Sequence, residues 1–190
     1  SQAVFADPDE ALEDAMSRKL DWALDRIGAK PGQRVLGVGG GWGAFTEHAG
    51  RRGIEVTSLT ISRASEDFIA GLIRAQGLPC RVQRTHLMAF EADAPFDAIV
   101  NLGVTEHLPD YPATLACYRR LLKPGGRIAL DASAARRKHD LSGFFLRHIF
   151  QGNGSPLCLH DYLAAVADSP FEVLEVINDR DNYGLTCRHW

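Results

Sequence analysis

The sequence lacks the paired cysteines that mark disulfide-stapled or zinc-binding proteins. Its four cysteines, Cys80, Cys117, Cys158 and Cys187, lie far apart, and none belongs to a C-x-x-C motif. We therefore expect free thiols in a reducing compartment rather than disulfides or metal ligands. The histidines, His160 among them, show no metal-ligand spacing either, so no metal site is predicted.

The sequence also lacks a long apolar run and a strong excess of one charge. No stretch approaches the roughly 20 apolar residues that span a bilayer, and no signal peptide is visible. These absences predict a cytoplasmic protein. The formal net charge of -3 provides no basic surface for phosphates, so nucleic acid is not an expected partner.

What the sequence does contain is an alternation of short apolar runs with amphipathic stretches, which is typical of right-handed βαβ units. It predicts an α/β fold: a doubly wound, mostly parallel, seven-stranded sheet with helices on both faces. The chain is expected to form a single domain, 1–190, with an N-terminal helical segment (1–32) and an α/β core (33–190). Strands are predicted at 34–38, 54–59, 80–83, 96–100, 127–130, 171–178 and 183–189, and helices at 7–27, 44–51, 62–76, 111–122, 141–150 and 157–167.

A glycine-rich loop between the first predicted strand and the next helix is the most informative local feature. Gly39, Gly41 and Gly43 alternate there. Because glycine has no Cβ, a ligand can lie directly against the backbone, and the following helix presents unpaired N–H groups to an anionic group.

Alternative interpretations of this loop stay open at this point. Gly39-x-Gly41-x-x-Ala44 also fits the dinucleotide fingerprint, which expects an acid at the end of the second strand. Residues 59–62 contain no acid, which weakens an NAD site, although Arg63 could meet the extra phosphate of NADP. A glycine turn without any ligand is the remaining alternative.

Several motifs in order resemble one known family, the cyclopropane fatty acid synthases and mycolic acid methyltransferases. The segment VLGVGGGWG at 35–43 resembles the family's VLDVGCGWG, and NLGVTEH at 101–107 resembles SIGMFEH. SQAVF at 1–5, LTIS at 59–62, HIFQG at 148–152 and YGLT at 183–186 resemble YSCAxF, LTLS, YIFPGG and HYALTL. LLKPGG at 121–126 occurs in many methyltransferases. The resemblance covers nearly the whole chain and implies the Rossmann-like fold of class I methyltransferases.

The resemblance implies S-adenosylmethionine (SAM) as the cofactor. Ser1 would approach its methionyl carboxylate, the loop glycines would pass under it, and two hydroxyls would lie near its ribose. The implied cofactor-binding residues are Ser1, Gly39, Gly41, Gly43, Thr60, Ser62, His86 or Leu87 at the adenine, and Leu102.

The resemblance also implies catalytic residues. Glu106 and Tyr183 match residues that hold a bicarbonate ion, which serves as the base in those enzymes. His107 and Asp131 complete the candidate set, but Asp131 replaces the family's His or Gln and would repel such an anion, so bicarbonate is doubtful. The chain further departs from the family at three positions, with Gly37 for Asp, Gly40 for Cys and Ser65 for Gln.

The function implied is SAM-dependent transfer of a methyl or methylene group to carbon of an unsaturated acyl lipid. A SAM-binding domain with weakened or no catalysis, and a methyltransferase for a small soluble metabolite, are the alternatives. The basic run 136–139 could make weak peripheral contact with anionic headgroups, although such runs are usually solvated. Trp42 is expected to pack under the glycine loop.

Overall fold

The centre of the molecule is a parallel five-stranded sheet with strand order β3-β2-β1-β4-β5. The computed structural model describes residues 2–139, 143–148 and 154–189. The strands are β1 (Arg34–Val38), β2 (Glu55–Thr60), β3 (Arg81–Arg84), β4 (Phe96–Leu102) and β5 (Leu122–Asp131). Because all of them run in one direction, their carboxyl ends meet at one edge of the sheet, where such folds bind ligands.

Helices flank this sheet in the alternating order that the sequence predicts. They are α1 (Leu12–Ile27), α2 (Ala44–Gly50), α3 (Arg63–Gln76), α4 (Tyr111–Leu121), α5 (Gly143–His148), α6 (Leu159–Ala167) and α7 (Arg180–Arg188). Short 3-10 helices lie at Leu87–Ala89 and Thr105–His107. None of the described helices is long and apolar enough to cross a bilayer.

Two apolar clusters, one on each face, hold the sheet between its helices. On one face Leu36 and Ile99 pack with Tyr111 and Tyr118 of α4. On the other, Val35 packs with residues of α1 and α2. Neighbouring residues of a strand point to opposite faces, so Val35 and Leu36 serve different clusters. The predicted α/β class, with helices on both faces of a parallel sheet, is confirmed.

The predicted closing strands are wrong. Residues 171–179 form no regular structure, and Val173, Leu174, Val176 and Ile177 are exposed. A strand needs a neighbour for its backbone groups, and this segment pairs with no described strand. The sheet therefore has five described strands instead of seven.

Residues predicted as the seventh strand form α7 instead. Asn182 and Thr186, four residues apart, lie on one face of this helix. Asn182 Oδ1 accepts the N–H of Phe5 at 2.8 Å, and Thr186 Oγ1 accepts the N–H of Ala3 at 3.0 Å. The spacing of these two side chains along the helix thus provides hydrogen-bond acceptors for two backbone N–H groups of the N-terminal segment 2–5.

The remaining differences are local. A two-stranded parallel sheet, β6 (Ala134–Ala135) and β7 (Leu157–Cys158), forms beyond the end of β5. Helix α1 begins at Leu12 instead of near residue 7, because the Asp7 carboxylate accepts the N–H of Asp9 in a preceding turn. Gly28, with a φ of 64°, ends α1 as expected.

Candidate active site

The glycine loop lies directly after β1, at the carboxyl edge of the sheet. Gly39, Gly41 and Gly43 all have positive φ angles, of 83°, 51° and 84°. A side chain at Gly39 would overlap Cγ2 of Val104, and a Cβ at Gly43 would lie 3.1 Å from Leu72. Packing therefore requires glycine at residue 39, whereas at residue 43 the positive φ favours glycine and the close contact adds to it.

Gly41 differs from the other two glycines in its surroundings. A Cβ built there meets no described atom within 4 Å. The middle of the loop thus presents bare backbone to open space, which is the property that a closely bound ligand needs. A cleft beneath the loop is lined by Gly37, Gly39 and Leu102 among others, so Leu102 does lie beside the loop.

The departures from the family motif at residues 37 and 40 have different physical settings. A Cβ at Gly40 would lie 2.7 Å from both Ile69 Cδ1 and Ser58 Oγ, so a cysteine there would require these two side chains to shift. A Cβ at Gly37 would make ordinary contacts of 3.5 Å or more with Val56 and Phe45.

Trp42 projects outward from the loop instead of packing under it. It is 67% exposed and meets the ring of Phe68 edge-on, with centroids 5.5 Å apart. Ile61, after β2, is also exposed. The prediction that Trp42 packs under the loop is therefore wrong. Together, Trp42, Ile61 and Phe68 form an exposed apolar rim beside the glycine loop.

The hydroxyls predicted to lie near a ribose both take part in the turn between β2 and α3. Thr60 Oγ1 accepts the N–H of Ser62 at 3.1 Å, and Ser62 Oγ accepts the N–H of Ser65 at 3.3 Å. Ser62 is thereby the N-cap of α3. Each hydroxyl retains its own O–H as a donor.

The two residues proposed for the adenine differ in accessibility. His86 is exposed and its Nδ1 accepts the N–H of Met88 at 3.3 Å. Leu87 lies in the apolar core and is 3% exposed. His86 is thus the accessible side chain of the two and Leu87 is a core side chain, and contact of either residue with adenine stays a prediction.

Glu106 has a buried side-chain carboxyl group, and one of its two oxygens has no hydrogen-bond partner among the described residues. It stands in the 3-10 helix after β4 and is 4% exposed. Its Oε1 accepts the N–H of Ser133 at 2.6 Å, and its backbone carbonyl accepts the N–H of Ser155 at 2.7 Å. Its Oε2 is buried and has no hydrogen-bond partner among the described residues.

The surroundings of Glu106 favour its protonated form. Burial raises the pKa of this carboxyl, and the nearby Asp131 carboxylate raises it further. The N–H of Ser133 and the charge of His107 act in the opposite direction. Of the predicted residues, the structure therefore brings Glu106, Asp131 and His107 into one electrostatic neighbourhood.

Asp131 forms an ion pair with Lys19, a residue that the sequence analysis missed. The Lys19 side chain is 3% exposed and the Asp131 side chain is 20% exposed. The pair joins α1 to the end of β5. A signal was present in the sequence: Ala15, Lys19 and Ala23 recur every four residues, which places Lys19 on the buried face of α1.

The remaining candidates lie on other elements or outside the described residues. Tyr183 stands on α7, is 40% exposed, and belongs to the helix that holds residues 2–5. Its placement on a strand is corrected to a helix.

Ser1, together with residues 149–152 of the HIFQG motif, lies outside the described residues. In the basic run, Lys138 donates to the Pro109 carbonyl and lies 3.8 Å from the Tyr111 ring centroid.

The fold and the glycine loop at its carboxyl edge define a class I methyltransferase type of protein. The model of the mycolic acid cyclopropane synthetase family matches residues 1–190, and the chain belongs to this family of SAM-dependent methyltransferases. The chain is 28% identical over 194 residues to a probable fatty acid methyltransferase of Mycobacterium tuberculosis, a match that spans 99% of this chain and 45% of that protein.

Two further relatives agree with this assignment. Cyclopropane mycolic acid synthase 1 of Mycobacterium tuberculosis is 32% identical over 161 residues, covering 83% of this chain and 53% of that protein. The crystal structure of a mycolic acid cyclopropane synthase complexed with SAH and CTAB superposes with a TM-score of 0.88 at 26% identity, covering 100% of this chain and 72% of that one. The chain thus spans about half the length of the curated relatives it matches.

Proposed function

We propose that this chain binds SAM and transfers its methyl group to carbon of an unsaturated acyl lipid. The observation that carries the proposal is the bare, buried Oε2 of Glu106 at the edge of the sheet that holds the open glycine loop. Family membership supports the choice of cofactor, and the relatives named as fatty acid methyltransferase and cyclopropane synthase support the acyl acceptor.

The residues around the loop fit SAM. Gly41 leaves space directly over the backbone, and Leu102 lines the adjoining cleft. Thr60 and Ser62 retain hydroxyl donors, and exposed His86 stands after β3. Ser1 is the proposed partner of the methionyl carboxylate. When bound, SAM supplies a methyl group already activated for attack by an electron-rich carbon.

Glu106 is the proposed catalytic base. Methylation of an alkene carbon places positive charge on the acyl chain, and a buried carboxylate stabilises that charge more strongly than water would. The chain then loses a proton, and Oε2 is the atom that receives it, since Oε1 is occupied by Ser133. His107 and Tyr183 remain proposed contributors to the same step.

A bicarbonate ion does not fit this arrangement, and we derive no step through it. As a base Glu106 must be ionised, and in that form its Oε2 is only an acceptor and would repel a second anion beside it. Lys19, the buried cation that could balance the charge, is paired with Asp131. Glu106 itself therefore takes the role of the base.

The experiment has two stages that separate the alternatives. Isothermal titration with SAM tests the cofactor, and methyl-labelled SAM mixed with vesicles of unsaturated phospholipid tests transfer, with fully saturated vesicles as the control. We expect saturable binding and label in the unsaturated lipid alone. Binding without transfer would indicate a domain with weakened catalysis, label in soluble metabolites alone would indicate a small acceptor, and absence of binding would overturn the proposal.

A further inference from the structure

A cluster of three metal-type ligand atoms lies at the junction of β7 and α6. Cys158 ends β7, and His160 and Asp161 stand in the first turn of α6. The Cys158 Sγ lies 3.5 Å from Nδ1 and 3.4 Å from Nε2 of His160. The same Nε2 lies 3.3 Å from Oδ1 of Asp161, and the ligand atoms of all three fall within 4.8 Å of one another.

Two of these separations, Sγ to Nε2 of His160 and Nε2 to Oδ1 of Asp161, match those in the ligand shell of a tetrahedral zinc ion. Bonds of about 2.3 Å to sulfur and about 2.0–2.1 Å to nitrogen or oxygen, at tetrahedral angles, place ligand atoms roughly 3.3–3.6 Å apart. A thiolate, an imidazole and a carboxylate form a donor set that suits zinc-type cations and not the oxygen-seeking magnesium or calcium. Sequence spacing alone predicted no metal here, because the turn from strand to helix is what gathers the three side chains.

Accessibility favours an ion over any larger reagent. Cys158 is fully buried, whereas the side chains of His160 and Asp161 are 72% and 44% exposed. A small cation can bind first to the exposed imidazole and carboxylate and then meet the sulfur. A bulky electrophile cannot reach Sγ, so the cluster is a poor nucleophilic site.

The sulfur is also held in a fixed position. The N–H of Cys158 donates to the Tyr111 hydroxyl at 2.9 Å, and its Sγ lies 3.4 Å from the carbonyl oxygen of Arg136. In residues 2–139, 143–148 and 154–189, this is the one group of three or more such ligands close enough to share an ion. Cys80 and Cys117 contact mainly backbone carbonyls instead.

We propose that Cys158, His160 and Asp161 form a binding site for a zinc-type divalent cation. The site would clamp the junction of β7 and α6 close to the candidate active site, since Ser155 of the same segment donates to the carbonyl of Glu106 at 2.7 Å. A water molecule or the Arg136 carbonyl would complete the ligand shell. The inference stands on this cluster and does not depend on the proposed methyl transfer.

The test uses the tag-free protein after removal of metals with a chelator and titration with Co²⁺, which reports thiolate ligation through a charge-transfer absorption band. We expect the band to saturate at one ion per chain and to disappear when Zn²⁺ is added. Cys158→Ser should abolish the band. His160→Ala and Asp161→Asn, both at exposed positions, should each weaken Co²⁺ binding at least about tenfold.

The matched control is Cys187→Ser, which removes an exposed cysteine from α7 and should leave the titration unchanged. Circular dichroism of each variant reports its folding. Absence of the band in the wild-type protein at stoichiometric Co²⁺ would overturn the site. So would a band that persists in Cys158→Ser, or wild-type affinity in both exposed variants.

Discussion

Gly41 and Gly77 have the same backbone requirement in different surroundings. Their φ angles are 51° and 61°, and a Cβ at either meets no described atom within 4 Å. Gly77 ends α3, far in sequence from the loop. Alanine at each should therefore lower the free energy of unfolding by a similar amount, about 1–2 kcal/mol, through the left-handed backbone alone.

The two variants should differ in SAM binding. A Cβ at residue 41 would occupy space proposed for the cofactor, so Gly41→Ala should weaken binding about 10- to 100-fold, the effect of roughly 1–3 kcal/mol of overpacking. Gly77→Ala should bind SAM like the wild-type protein. Isothermal titration gives the comparison, and equal affinity in the two variants would remove the loop from the cofactor site.

Glu106→Gln separates catalysis from cofactor binding. Glutamine keeps the shape of the side chain and an oxygen for the Ser133 N–H, but it cannot take up a proton. Turnover should fall about 10²-fold or more, as expected for loss of a general base, with SAM affinity nearly unchanged. The methyl-transfer assay and the titration measure the two effects. Equal losses in both would assign Glu106 to cofactor binding instead.

Part of this site could be predicted from the sequence, and the reason for the limit is physical. Glu106 and the loop glycines lie in continuous motifs after strands, so their place at the sheet edge follows from the alternation of elements. The partners of the two carboxylates come from other parts of the chain through tertiary packing: Ser133 meets Glu106, and Lys19 meets Asp131. The helical spacing of Lys19 indicated burial, but it gave no information on which carboxylate it would meet.

At the scale of elements, the ion pair of Lys19 and Asp131 joins α1 to β5. Lys19→Met would leave Asp131 charged and without this cation. Breaking a fully buried pair costs about 3–5 kcal/mol, and because the Asp131 side chain is 20% exposed we expect about 2–3 kcal/mol, measured by urea unfolding. The double variant Lys19→Met with Asp131→Asn should recover most of this loss.

An exposed ion pair on the same helix provides the control. Arg26 pairs with Glu175, with side chains 46% and 43% exposed. Arg26→Met should change stability by less than about 1 kcal/mol. If Lys19→Met behaved like Arg26→Met, the Lys19 pair would not link the two elements energetically.

The elements that were predicted correctly are those whose pattern is local. The strands β1 and β4 are short, mostly apolar runs buried on both faces, and this composition is typical of a central parallel strand. The segment 171–179 is also rich in apolar residues that favour strands, but composition alone does not supply a hydrogen-bonding neighbour. Helix α7 was missed because its Asn182 and Thr186 are satisfied by residues 2–5, at the other end of the chain.

At the scale of the whole molecule, the pKa values of Glu10 and Glu106 are shifted in opposite directions, so the two residues make stability depend on pH in opposite ways. The side-chain hydrogen bond from Arg18 lowers the pKa of Glu10, so its stabilising contribution is present above its ordinary pKa of 4.5 and is lost as the pH falls. Burial raises the pKa of Glu106, so the folded state binds this proton more tightly than the unfolded state. The stability that protonated Glu106 contributes is fully present below pH 4.5 and is lost as the pH rises through the pKa of Glu106 in the folded state.

Comparing the two glutamine variants tests this opposition. The free energy of unfolding of Glu106→Gln, relative to wild type, should rise as the pH increases above 4.5, by at most about 1.4 kcal/mol per pH unit, because glutamine never ionises in the buried site. Glu10→Gln should show its change at lower pH: wild type loses the Glu10 contribution as the pH falls below 4.5, so the stability of the variant relative to wild type should fall as the pH rises toward 4.5 and stay constant above it. Urea unfolding of the three proteins between pH 3 and pH 8 gives both trends. Burying the amide of glutamine changes stability by an amount that does not depend on pH, so the test is how the difference in free energy of unfolding varies with pH. If the difference between Glu106→Gln and wild type did not vary with pH, Glu106 would not be a buried carboxyl that destabilises the protein when it ionises.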